Sequence, residues 1–150
     1  MDALKKVCCA KADGGGYLEG AENLLDSAAS GRMVGNTRGV YAAAIAGDAF
    51  RSAGFTSIKY PKDKSYILKD GRLSEPDLIV IDKKGVKRVI EVKNDGMLEL
   101  GQESILKEIA TMETAIPSFI NVQKSLKKAQ MSALRRIGID VLDLNGDVIN

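Results

Sequence analysis

The apolar positions fall into runs of two periods. DLIVID (77–82) and VKRVIEVK (86–93) are β-branched and of strand length, and FTSIKY (55–60) alternates before Pro61. These predict three strands. Val40 to Ala53 is Ala-rich and is followed by Gly54, which predicts a helix with small side chains suited to close packing on a sheet. Glu99 to Ala115 predicts a helix through Leu100, Ile105, Ile109 and Met112, broken by Pro117; SFINV (118–122) then suits a strand. Ser125 to Ile137 predicts another helix, with Leu126, Ala129, Ala133, Leu134 and Ile137 on one face. Gly138 stops it before a last strand, IDVLDL (139–144). The polar segment 61–75 reads as a loop with a short strand at Tyr66 to Leu68. Residues 17–30 have weak helical periodicity, 31–39 read as a loop, and 1–16 form an arm ending in three glycines. The order helix, three strands, helix, strand, helix, strand predicts a mixed α/β sheet covered by helices. The division expected is an arm with a short helix over 1–36 and one domain over 37–150.

The strongest local constraint is Lys83-Lys84-Gly85, between the two β-branched runs. A three-residue hairpin loop with Gly in the left-handed conformation is a common turn. It pairs Asp82 with Val86, so facing residues sum to 168 and Asp77 falls opposite Glu91. Directly opposed residues in an antiparallel pair share a face, with Cβ atoms about 4.5–5.5 Å apart. Lys93, two residues beyond Glu91, shares it too. One turn therefore gathers two carboxylates and an amine. Like charges that close need compensation, and a divalent cation supplies it. Such an ion would take both carboxylates and a backbone carbonyl, that of Val92, and keep several waters. Lys93 would orient or deprotonate the attacking water, or neutralise charge on a phosphate. These parts suit in-line hydrolysis of a phosphodiester. An isolated Glu-x-Lys is usually a solvated surface pair. The specific signal is the whole pattern, Pro-Asp opening an apolar strand, a tight turn, and an apolar strand ending in Glu-x-Lys.

Composition narrows the chemistry further. The chain has 150 residues, 45% hydrophobic and 28% charged, which fits one globular domain. It has no His, which excludes Ser-His-Asp and Cys-His catalysis and His-based zinc sites. Oxygen ligands point instead to Mg²⁺, Mn²⁺ or Ca²⁺. The only cysteines, Cys8 and Cys9, are adjacent, which argues against a disulfide framework and for a reducing compartment. No apolar run approaches the ~20 residues that span a bilayer, and no signal peptide is read at the N-terminus. A net charge of +2 does not by itself announce a nucleic-acid binder. Local clusters could do so. Lys124, Lys127, Lys128, Arg135 and Arg136 gather around the helix that follows Ser125, and Lys62, Lys64 and Lys69 precede the hairpin. Either group suits phosphate contacts without base readout, although a solvated helix face is as good a reading of each alone. Tyr60 and Tyr66 are candidates for base stacking, with edge-strand packing the safer reading.

Pro76-Asp77 and Glu91-Val92-Lys93, with flanking elements in order from about 37 to 122, resemble the PD-(D/E)xK nuclease superfamily. The resemblance implies a restriction-endonuclease-like αβββαβ core, Mg²⁺ or Mn²⁺, and cleavage of DNA or of RNA such as tRNA. It assigns Asp77 and Glu91 to the metal and Lys93 to catalysis. Nuclease domains of bacterial contact-dependent inhibition and other polymorphic toxins are similar in reading "RG" at the first helix, then "GF", then "EVKN". Here those are Arg38-Gly39, Gly54-Phe55 and Glu91-Val92-Lys93-Asn94. A toxin of that kind implies an immunity protein as partner, delivery into target cells and action in their cytoplasm. Holliday junction resolvases and repair nucleases are the alternative resemblance, and a resolvase would need a homodimer.

The chain departs from the family at one place. Relatives carry a Glu on the first helix, four residues after the Gly and about eleven before GF, and both counts land on Ala43. Asp48 lies about 140° further round the helix. Glu19 or Glu22 would have to supply a third carboxylate, or the chain is an inactivated enzyme or a non-catalytic nucleic-acid binder. Relatives also place a Gln on the helix after the lysine. Gln102, nine residues beyond Lys93, fits best; Gln130 fits only if 94–122 is an insertion.

Overall fold

The computed structural model describes residues 18–19, 37–61, 65–94 and 96–149, with only the backbone described at 18–19 and 37–41. It is a mixed α/β fold. The main sheet runs β1 (Leu18–Glu19), β2 (Ser57–Lys59), β5 (Leu78–Ile81), β6 (Lys87–Lys93), β7 (Ile116–Asn121), β8 (Asp140–Val141). β5 is antiparallel to both its neighbours, and the other pairings are parallel. β3 (Tyr66–Ile67) and β4 (Leu73–Ser74) form a separate hairpin. The helices are α1 (Thr37–Ala53), α2 (Gln102–Met112) and α3 (Lys128–Arg136).

The β5–β6 hairpin has the register that its turn dictates. Leu78 faces Ile90 and Ile81 faces Lys87, so partners sum to 168. Asp82 N–H donates to the Val86 carbonyl at 2.9 Å, and Gly85 has φ +83°, a conformation Gly adopts without strain.

Alternation along β5 and β6 divides the core in two. Leu78, Val80, Ile90 and Val92 pack with Ala42, Ala43, Ala44, Ala46 and Phe50 of α1. Ile79, Val89 and Phe119 pack with Leu106, Ile109 and Ala110 of α2 and with Leu134 of α3. The small side chains of α1 allow a close approach. At Gly47 an added Cβ would stand 1.7 Å from the Tyr60 hydroxyl oxygen.

Several sequence expectations need correction. Leu18–Glu19 is a strand paired with β2, not helix, while the rest of 1–36 lies outside the described residues. The first helix begins at Thr37, inside the expected loop. The second and third are shorter than expected, at 102–112 and 128–136. Ala129 and Ala133 are exposed, while Leu134 packs inward as expected with Met131 beside it. Residues 73–74 pair with 66–67 where a loop was expected. Pro117 belongs to β7, in its second position, before pairing with β8 begins at Ser118. Tyr60 and Tyr66 are 2% and 7% exposed, so both are core residues and not stacking platforms. No described helix is long and apolar enough to cross a membrane.

Candidate functional site

Asp77 immediately precedes β5, and its register position is opposite Glu91 on β6. The two side chains share a hydrogen bond, and Lys93 lies close enough to act on Glu91 electrostatically. All three are half-buried. Their odd-numbered positions put them on the α2 face, with Ile79 and Val89.

Burial pushes the Glu91 carboxyl up to about 8, reinforced by the charge of Asp77 and the shared hydrogen bond and opposed by Lys93. Two ionised carboxylates in hydrogen-bonding contact repel each other, so sharing a proton is favoured. Near neutral pH a proton between them relieves that repulsion. A divalent cation in the same place would displace it.

Pro76 explains why the ladder opens here. Asp82 N–H bonds the Val86 carbonyl, and alternation makes 80/88, 78/90 and 76/92 the hydrogen-bonding pairs. Proline has no N–H to give the Val92 carbonyl. On the other side of the same peptide position, Val92 N–H turns to the Asp77 carboxylate at 2.9 Å instead of a strand carbonyl. Pro76 thus leaves the Val92 carbonyl without a ladder donor from position 76, beside the two carboxyls.

Gln102, the first residue of α2, is brought to this place. It lines a pocket of about 140 Å³ together with Ser74, Pro76, Glu91 and Ile105. Its Oε1 accepts the Glu99 N–H at 2.7 Å, which orients the amide at the helix start. Gln130 is elsewhere. Its Oε1 accepts the Lys127 N–H at 2.9 Å and caps α3, and the segment 94–122 that separates it from Lys93 supplies α2 and β7.

No family model matches the chain, and no curated protein matches it.

A third metal-binding acid is not seen among the described residues. Among the described residues no group of three acidic, His or Cys side chains could hold a metal. Ala43 is buried on the α1 face, the other side of the sheet from Asp77 and Glu91. Asp48 accepts from Arg51 at 3.2 Å on α1. Glu19 pairs by register with Lys59, two strands from β5 and so roughly 10 Å across the sheet. Glu22, Lys62 and Lys64 lie outside the described residues.

Sequence reasoning overlooked a second charged cluster on the same hairpin. Arg88, 6% exposed, donates to Asp82 at 2.9 Å, Ser118 at 3.1 Å and Asp140 at 2.8 Å. Asp82 also accepts the Lys84 and Val86 N–H groups, each at 2.9 Å. Burial would raise the Asp82 carboxyl, but these donors outweigh it and hold it below its ordinary value. The available signal was a lone Arg at an inward position of an apolar strand.

Proposed function

We propose that this chain is a restriction-endonuclease-like nuclease of the PD-(D/E)xK type that hydrolyses nucleic-acid phosphodiesters with Mg²⁺ or Mn²⁺. The observation that carries the reading is Asp77 and Glu91 held together by the hairpin, with Glu91 pushed up to about 8 and Lys93 on the same face. Such a pair weakens the fold unless it serves a ligand. Asp77, Glu91 and the Val92 carbonyl would hold the cation. When bound, the ion would neutralise charge on the phosphate and lower the pKa of a coordinated water. Lys93 would donate to the attacking water or to a phosphate oxygen. The Gln102 amide, fixed by Glu99, would position the substrate. The toxin setting, with an immunity protein as partner, rests on the spacing of Arg38-Gly39, Gly54-Phe55 and Glu91 to Asn94; a dimeric resolvase or repair nuclease is the alternative setting.

A second reading has its own support. The lack of a third acid among the described residues favours a nucleic-acid-binding member of the fold that does not cleave. Incubation of plasmid DNA and of tRNA with Mg²⁺ separates the two. Cleavage by the wild type that is lost in Glu91→Gln and Lys93→Ala supports the nuclease, and cleavage untouched by both changes refutes the site. Binding without cleavage in every form identifies the non-catalytic module.

A further inference from the structure

The basic residues around α3 look like one cluster in sequence, and the fold divides them. β7 runs parallel to β6, and Asn121 at its end is in register with Lys93. Asn121 Oδ1 then accepts the N–H groups of Gln123 at 3.1 Å and Lys124 at 2.8 Å. The segment that carries Lys124, Lys127 and Lys128 is therefore anchored beside the Lys93 end of the sheet. α3 starts there and runs back toward β8, so Arg135 and Arg136 lie at its far end, about 12 Å away at 1.5 Å per residue. All five side chains are exposed. α3 packs through Leu134 and Met131 on the face shared by Asp77, Glu91 and Lys93.

The segment also has shape. Asn121, Lys124 and Leu126 line a pocket of about 240 Å³ together with Leu142 and Leu144. Asp143 lines the same pocket, its Oδ1 accepting the Asn145 and Asp147 N–H groups at 2.9 and 3.0 Å.

We infer that Lys124, Lys127 and Lys128 bind backbone phosphates of a polynucleotide next to the bond to be cut, while Arg135 and Arg136 take no part. This rests on the nuclease reading of the same face and assigns the path by which its substrate arrives. The contact is to phosphate and carries no base specificity.

The test measures binding of a labelled 30-base-pair duplex and of tRNA between 50 and 200 mM salt in Ca²⁺. It compares the wild type, the triple variant Lys124→Ala/Lys127→Ala/Lys128→Ala, and Arg135→Ala/Arg136→Ala. Each lost duplex contact lowers the slope of log affinity against log salt by ~0.9. The triple variant is expected to lose ~2–3 from that slope and at least ~10-fold in affinity, with the arginine pair within ~2-fold of wild type. Equal losses in both variants, or none in the triple variant, overturn the inference. Loss of slope without any cleavage activity in the wild type upholds the phosphate track and removes the nuclease reading. Wild-type cleavage with an unchanged KM in the triple variant does the reverse. Preference for duplex or tRNA identifies which polynucleotide the track serves.

Discussion

The β5–β6 hairpin holds a buried charged cluster at each end, on opposite faces, and the two are built by opposite rules. At the turn, Asp82 receives two backbone N–H groups and the Arg88 guanidinium, and its carboxyl is held below its ordinary value. At the open end, Glu91 meets another carboxylate and is pushed up to about 8. The first cluster satisfies its own charge and ties β5, β6, β7 and β8 together through Ser118 and Asp140. The second holds two carboxyls together through a shared hydrogen bond, at the cost of a raised Glu91 pKa. The difference lies in the balance of donors and charge around each carboxyl: at the turn the donors outweigh burial, and at the open end burial and a second carboxylate outweigh Lys93.

The sharpest way to break this comparison is to remove the counter-charge at the turn. Arg88→Met leaves Asp82 and Asp140 without their guanidinium and should destabilise the fold by ~3–5 kcal/mol in urea titration. A loss below ~1 kcal/mol would show that the turn cluster is no more structural than the open one. Glu91→Gln should act in reverse. Cation-dependent cleavage should fall by ~10²–10³-fold, equivalent to ~2.7–4 kcal/mol of barrier, while stability at pH 8 is equal or higher. Unfolding midpoints and initial cleavage rates, measured on one preparation, decide it.

The pH dependences should also oppose each other. Glu91 has a folded pKa above its unfolded value of 4.5, so the folded state binds the extra proton. Its contribution is fully present below about pH 4.5 and is lost as pH rises through about 8. Asp82 has a folded pKa below its ordinary value of 3.8, so its contribution is present above that value and lost on acidification. Stability in EDTA should therefore fall by up to a few kcal/mol as pH rises from about 5 to about 8.5, because each tenfold change in proton affinity between unfolded and folded chain is worth ~1.4 kcal/mol. Added Mg²⁺ should flatten that slope. A flat profile in EDTA would contradict the strained pair. The smallest effect is expected from Pro76→Ala. An N–H at 76 can close the ladder on the Val92 carbonyl, changing stability by ~1 kcal/mol or less while weakening cation affinity in calorimetric titration. Unchanged affinity would remove Val92 from the ligand set.

What could be read from the chain alone was local. Two β-branched runs around Lys83-Lys84-Gly85 determine the hairpin, its register and hence the meeting of Asp77 with Glu91, because a short turn and a period of two leave one arrangement that buries both runs. The mixed α/β class followed from element order. Tertiary structure alone decided which face each helix covers, which separated Ala43 from the carboxylates and brought Gln102 beside Glu91. It also made Arg88 a core residue, since its partners Ser118 and Asp140 lie 30 and 52 residues away. It turned Tyr60 inward over Gly47 and split the lysines before α3 from the arginines at its end. The Arg88 cluster, the place of Gln102 and the split of the basic residues depend on parallel pairing of β6, β7 and β8 across long connections, and such pairing is set by which surfaces bury together, a property that no window of neighbouring residues contains.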